Sequence, residues 1–503
     1  MKYSEKSSLR RPLLDDAKRK SHFGTTSIEI IPKTTKKGEK VKFLPESDGH
    51  GGLLEFSEKT EREPPKDRFN FVFLVIFLHG IGVLMPWNMF ITLDRYFVDY
   101  KFNGTTTEYG KNYLSYVGIC SQIPNLLLAA VNLFVQIRGS LHNRVVACLC
   151  VNIFICLLTI VGAVIDTSTW PGWFFALTMF SVVVLNSSNG VYQNCIFGLA
   201  ADFPAKYTNA VVIGNNFCGT FVSVVSILAL LWSPGDQLAA IVYFSVSSFV
   251  LVLALLAYFT LPKLSFYRHY HHMGILKRDI SIARELAVVT GDEAVPNQCA
   301  GKIRPFASVA REIWVHLFNV WFIFFVTLTI FPAIQANVEP MTSRLGLPGK
   351  LFTPVCTFLT FNTMSMIGSF TANHVQVPGP RLLWLPVLLR GLLIPVFMFC
   401  NYRPEFRTWP VLLPYDELFV AFGILMGFTN GYFSSLAMMY APRVVSADKA
   451  RIAGMMAAFF LIAGICSGVN FTFVVAWINE ALGPNRQGFV LSYDGTSNLT
   501  NLI

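Results

Sequence analysis

Gln237-Leu-Ala-Ala-Ile-Val-Tyr-Phe-Ser-Val-Ser-Ser-Phe-Val-Leu-Val-Leu-Ala-Leu-Leu-Ala-Tyr-Phe-Thr-Leu261 carries no formal charge from end to end, and Pro262-Lys263 follows at once. A helix needs roughly 20 predominantly apolar residues to cross the hydrocarbon core of a bilayer, so this stretch is long enough to span. The same pattern recurs on both sides of it. In chain order the spanning stretches are 70–93, 113–136, 145–165, 172–201, 207–232, 237–261, 313–335, 351–377, 382–400, 418–441 and 452–478, eleven in all. Composition agrees: of 503 residues 53% are hydrophobic and 14% charged, and mean hydropathy is +0.50. Residues 1–68 hold 28 of the 70 charged side chains, which leaves 42 for the other 435 residues. A chain with so little surface charge cannot cover itself for water. It reads as an all-α polytopic membrane protein. The net charge of +10 comes from the tail and short loops, not from a basic face, so no nucleic-acid partner is expected.

Residues 1–68 lack the apolar core and cleavage site of a signal peptide and read as a disordered cytoplasmic tail. The remaining divisions are helices 1–6 over 69–261, a cytoplasmic loop over 262–311, helices 7–11 over 312–478 and an outer tail over 479–503. Eleven spans place the termini on opposite sides, and basic residues decide which is inside. With the N-terminus cytoplasmic, the inner loops carry 15 Lys/Arg besides the 16 of the tail, against eight outside. The sequons Asn103-Gly-Thr and Asn498-Leu-Thr then fall on the extracellular or lumenal side, where glycosylation is expected. Cys148, Cys150, Cys156, Cys195, Cys218, Cys356, Cys400 and Cys466 lie in apolar runs, where small buried thiols are expected. No metal-ligand spacing occurs among them, and no cofactor is expected.

Within the eleven spans the only formal charge is Arg390, and there is no Asp or Glu. Carriers driven by protons or sodium commonly place acids near the bilayer centre. Neither a P-loop lysine motif nor a catalytic carboxylate pair is present. The chain reads as a passive carrier, or as a membrane scaffold, and not as an enzyme. Arg390 needs carbonyls, amides or water as partners and suits a structural or gating role.

The polar residues of the spans fall into constellations. Gly80-Ile-Gly-Val-Leu-Met-Pro-Trp-Asn88 ends the first span with a helix-perturbing Pro86, a flat Trp87 suited to stacking on another ring, and Asn88. Gln122 and Asn125, three residues apart, share a face of the second span. Asn186, Asn189 and Gln193 form an amide stripe in the fourth, whose paired donors and acceptors suit the edge of a heterocyclic base. Phe358, Asn362, Ser365 and Ser369 form a stripe in the eighth, and Phe331-Pro332 closes the seventh. For each, interhelical hydrogen bonding or packing is the alternative to ligand contact.

Several of these segments, taken in order, resemble the equilibrative nucleoside transporter family. They are Pro86-Trp-Asn88, Gln193-Asn-Cys-Ile-Phe-Gly-Leu-Ala200, Phe203-Pro-Ala-Lys-Tyr-Thr208, Leu261-Pro-Lys-Leu-Ser-Phe-Tyr267, Phe331-Pro332 and Thr357-Phe-Leu-Thr-Phe-Asn362. Gln376-Val-Pro-Gly-Pro380, Leu388-Leu-Arg390, Ile394-Pro395, Cys400-Asn401, Asn430-Gly-Tyr432 and Gly454 continue the series. The resemblance implies a major-facilitator-like carrier that passes nucleosides, with nucleobases as further candidates, down their gradient by alternating access. It implies pocket roles for Trp87, Gln122, Asn125, Gln193, Phe331, Phe358, Asn362 and Ile465. No obligatory protein partner is implied beyond the lipid bilayer. One departure stands out. Where the family reads Phe-Asn-x-x-Asp-x-x-Gly-Arg with Asp and Arg toward the sugar, this chain has Phe361-Asn-Thr-Met-Ser-Met-Ile-Gly-Ser369. Ser365 and Ser369 therefore take the two sugar-facing positions, with neutral and shorter hydrogen-bonding groups. Restoring Asp and Arg together should do better than either alone, because each alone buries an unpaired charge. The plasma membrane is the expected location, with endosomal or lysosomal membrane as the alternative suggested by Pro12-Leu13-Leu14.

Overall fold

A computed structural model describes residues 65–92, 96–102, 113–134, 140–232, 235–289, 300–341 and 346–484. The two sequons at Asn103 and Asn498 and the Leu13-Leu14 pair lie outside the described residues. The architecture is helical, with one isolated bridge between Val338 and Tyr402. The helices are α1 (Phe71–Thr92), α2 (Tyr113–Phe134), α3 (Leu141–Val164), α4 (Pro171–Ala200), α5 (Ala205–Trp232) and α6 (Asp236–Thr260). Then come α7 (Ser265–Val289), α8 (Ala300–Ile330), α9 (Thr360–His374), α10 (Trp384–Met398), α11 (Asp416–Val444) and α12 (Ala450–Ala481).

Nine of these are long and apolar enough to cross a membrane: α1 to α6, α8, α11 and α12. Two of the eleven expected spans are built differently. The stretch 351–377 forms a wide π-helical segment, Thr353–Leu359, before the regular α9 begins. Pro354 lies in that segment, where its missing N–H favours a local change of hydrogen-bond register. The stretch 382–400 forms only the short α10, broken by a 3-10 turn at Arg390–Leu392. The segment 262–311 is mainly helix, since α7 fills its first half and α8 begins at Ala300. Helix α8 ends at Ile330, and Phe331-Pro332 follows it in a turn. Pro86 lies inside α1 without ending it.

Packing depends on small residues. Gly431 of α11 lies on the Ser365 carbonyl and Gly190 of α4 on the Asn125 carbonyl; a Cβ at either place would collide with backbone. Without water to drive apolar surfaces together, membrane helices associate through such close approach and through interhelical hydrogen bonds. A large core joins α1 to α6 with parts of α8, α11 and α12, including Leu436–Ala441 and Ala453–Ile462. A second, smaller core holds the other ends of α8 and α11 with Phe352, Phe361, Phe397 and Tyr402. The helices before and after α7 are thus joined mainly at one end of the bundle. There Gly454 of α12 lies against Phe197 and Ala201, and Arg451 forms an ion pair with Asp202, whose side chain is fully buried. Helix α7 packs on the same end: Phe266 stacks on Phe203, and Tyr270 leans on both.

Most cysteines in the apolar runs are buried thiols, as their setting implies. Cys150 is the exception, exposed on α3, and Cys466 is only half-buried.

Candidate functional site

The neighbours of α4 locate its amide stripe. Gly190 and Asn194 face α2, the latter donating from Nδ2 to the Ala129 carbonyl at 2.9 Å. Ser188 donates to the Cys148 carbonyl of α3 at 3.1 Å, and the Tyr192 hydroxyl meets His79 Nδ1 of α1 at 2.7 Å. At about 100° per residue, Asn189 and Gln193 fall on the side between α1 and α2, toward the interior. Gln193 is 3% exposed, and no hydrogen bond to its amide occurs among the described residues. The amide oxygens of Asn189, Gln122 and Asn125 are likewise buried without a partner among them. Asn186 instead bonds back to the Val182 carbonyl of its own helix at 2.9 Å. Buried amides normally have protein or water partners, and the oxygens of Asn189, Gln122 and Asn125 have none from the described residues.

On α1, Gly80 faces α5, while His79 and Gly82 face Tyr192 of α4. Trp87 is two turns beyond Gly80 on the same side, half-buried, between α4 and α5. Asn88 donates to Cys218 of α5 at 3.5 Å, which ties down the end of α1. The opposite wall is aromatic. Phe331 meets Phe358 edge-on at 5.4 Å and stacks on Phe361 at 4.0 Å. Asn362 donates to the Phe358 carbonyl at 3.0 Å and to Ser223 of α5 at 3.2 Å, lying against Gly219. Ile465 is half-buried on α12.

Ser365 and Ser369 take part in hydrogen bonds between helices. Both are fully buried where α9 meets α5 and α11. Ser369 Oγ accepts from Asn216 Nδ2 at 2.7 Å and donates to the Gly431 carbonyl at 3.1 Å. Ser365 Oγ accepts from Asn430 Nδ2 at 2.9 Å. Asn209 adds bonds to the Ser369 carbonyl at 2.7 Å and to Asn373 at 2.8 Å. Asn209, Asn216 and Ser223 stand seven residues apart, so α5 turns one polar group toward α9 every two turns. This ladder was missed in the sequence, although the seven-residue spacing was its legible sign.

Arg390 sits at the far end of the Asn430 chain. It donates to Thr327 Oγ1 at 3.1 Å and to the Ile323 and Met426 carbonyls at 3.4 Å, and Thr327 in turn donates to Asn430 Oδ1 at 2.9 Å. Carbonyls and one hydroxyl hold the charge, and no carboxylate takes part. No group of His, Cys, Asp and Glu among the described residues could hold a metal ion.

A helical bundle of apolar spans with polar amides and aromatic rings buried between them is the architecture of a membrane carrier. The sequence profile described as "Nucleoside transporter" matches residues 179–477, and the chain belongs to that family. It is 31% identical to equilibrative nucleoside transporter 3 of Rattus norvegicus, a match covering 80% of this chain and 88% of that protein. It is 30% identical to equilibrative nucleoside transporter 1 of Homo sapiens, covering 82% and 99% respectively. Among solved structures, a D-xylose-proton symporter superimposes over 84% of this chain and 99% of its own at TM-score 0.48 and 12% identity, a likeness too slight to carry an argument.

Proposed function

We propose that this chain carries nucleosides across a membrane by facilitated diffusion, with the base edge held by Gln193 and the neighbouring amides Gln122 and Asn125. The observation that carries this reading is the set of buried, open amides between α1, α2 and α4. Each amide offers both a donor and an acceptor, the combination that pairs with a heterocyclic base. Trp87 supplies a face for stacking, and Phe331, Phe358 and Ile465 close the space from the other side. Free nucleobases share the same edge and are accepted as well. Transport is not coupled to ions, because the spans hold no carboxylate to take up a proton or sodium.

Eleven helices cross the bilayer in a major-facilitator-like arrangement with a cytoplasmic N-terminus. The basic end, with Asp202 and Arg451, faces the cytoplasm, and their ion pair ties the end of α4 to α12 there. Alternating access then consists of parting α4 and α5 from α9 and α12. Arg390 braces α8, α10 and α11, and Pro86 and Asn88 shape the end of α1. The plasma membrane is the proposed site of action, with Asn103 and Asn498 glycosylated on its outer face.

Uptake of labelled adenosine, uridine and adenine in oocytes checks the reading, with surface abundance measured alongside. Gln193→Ala should lower uptake at low substrate several-fold to about tenfold, as one paired amide is lost. Absence of any uptake above control by surface-expressed wild-type protein would refute nucleoside transport.

A further inference from the structure

We propose that Asn215 of α5 is a substrate contact that receives the hydroxyl groups of the sugar, across the interior from the amides of α4. The inference rests on the reading of those amides as the base site and adds the other half of the substrate.

Three sides of α5 are taken. Gly214 lies on the backbone of Phe77 and Gly80 in α1, and Cys218 accepts from Asn88. Asn209, Asn216 and Ser223 bond to α9, and Gly219 lies against Asn362. Phe217, Val224 and Leu228 are exposed on the outer side. By helical rotation Asn215 falls on the fourth side, between the α1 and α9 contacts, with Thr208, Val211 and Val222, all buried. Trp87 borders the same interior from α1. A flat base stacked on Trp87 with its edge toward Gln193 leaves its sugar on the α5 side.

Asn215 is 8% exposed, and its amide oxygen has no hydrogen-bond partner among the described residues. A buried acceptor without a donor is a standing penalty, which a ligand hydroxyl relieves. Two nearby oxygens are also open, Thr208 Oγ1 on the same side two turns nearer the start of α5 and Asn209 Oδ1 on the side of α9, while the serines of α9 are engaged. Ser369 Oγ both accepts and donates, Ser365 Oγ receives Asn430, and Asn216 is spent on Ser369. Asn215 is the open amide on the side between the α1 and α9 contacts. The chemical class it selects is a nucleoside with intact sugar hydroxyls, in preference to a dideoxynucleoside.

The experiment compares uptake of adenosine, 2′,3′-dideoxyadenosine and adenine by wild type, Asn215→Ala, Asn215→Ser and Gln193→Ala, each corrected for surface abundance. Asn215→Ala should reduce the preference for adenosine over dideoxyadenosine about fivefold, the size of one net hydrogen bond, with adenine uptake unchanged. Asn215→Ser, which keeps a short acceptor, should retain part of the preference. An equal fall for all three solutes in both Asn215 variants, or no change in the ratio, would overturn the inference. If Gln193→Ala lowers adenine and adenosine uptake while the Asn215 variants leave the ratio alone, the inference falls and the base site stands. If Gln193→Ala alters nothing, the base site itself is wrong and the inference goes with it.

Discussion

Position 369 gives a demanding test of how α5, α9 and α11 are joined. Replacing Ser369 by Ala removes two interhelical bonds, to Asn216 at 2.7 Å and to the Gly431 carbonyl at 3.1 Å. At about 1 kcal/mol for each, the cost is about 2 kcal/mol. Ser369→Arg loses the same bonds and adds a long side chain at a place with no exposure, beside the backbone contact between Gly431 and Ser365. Overpacking adds about 1–3 kcal/mol, and a buried charge without a partner about 3–5 kcal/mol more. The sum approaches the whole stability of an ordinary domain, about 5–15 kcal/mol. Ser365→Asp together with Ser369→Arg supplies a counter-charge one turn away and recovers part of that loss. The order of thermal stability should therefore be wild type, Ser369→Ala, the double variant and last Ser369→Arg. Thermal denaturation of fluorescent fusions in mild detergent, read by the surviving monodisperse peak, measures that order. A Ser369→Arg midpoint equal to or above that of Ser369→Ala would refute the packing described here.

Other consequences can be checked separately. Asp202→Asn or Arg451→Gln should ease opening at the α4–α12 end and raise labelling, from the cytoplasmic side, of a cysteine placed at Ala205, while Asp202→Arg with Arg451→Asp should bring labelling back toward wild type; unchanged labelling in both single variants would show that the ion pair holds nothing shut. Thr327→Val strips one partner each from Arg390 and Asn430 and should cost about 1–3 kcal/mol in thermal stability, with Leu425→Ile at an exposed position of α11 as a control that stays near wild type. Substrate should equilibrate and not accumulate, with uptake indifferent to sodium replacement and to a protonophore; concentration well above the outside level, once metabolic trapping is excluded, would require an acid that the spans do not contain.

The sequence alone determined that this chain lives in a membrane, and for a simple reason. Hydrocarbon imposes a length and an apolarity on each crossing, and both are local properties that stretches such as 237–261 display without reference to neighbours. It also determined the absence of carboxylates in the spans, because composition needs no coordinates. Gln193 and Trp87 were legible as polar and flat groups at helical spacing. Whether an amide is open or engaged could not be read, because Asn186, Asn189 and Asn216 look alike in a string of letters. One bonds to its own helix, one is left open, and one is consumed by α9. That depends on which helix lies beside each face, and hence on residues 65 to 153 positions away. The same holds for Ser365 and Ser369, whose place in the eighth stretch did not tell which partners they find on α5 and α11. The π segment at 353–359 and the broken α10 around Arg390 were hidden for a related reason: local backbone register follows from what the helix packs against, and only the folded chain supplies those neighbours.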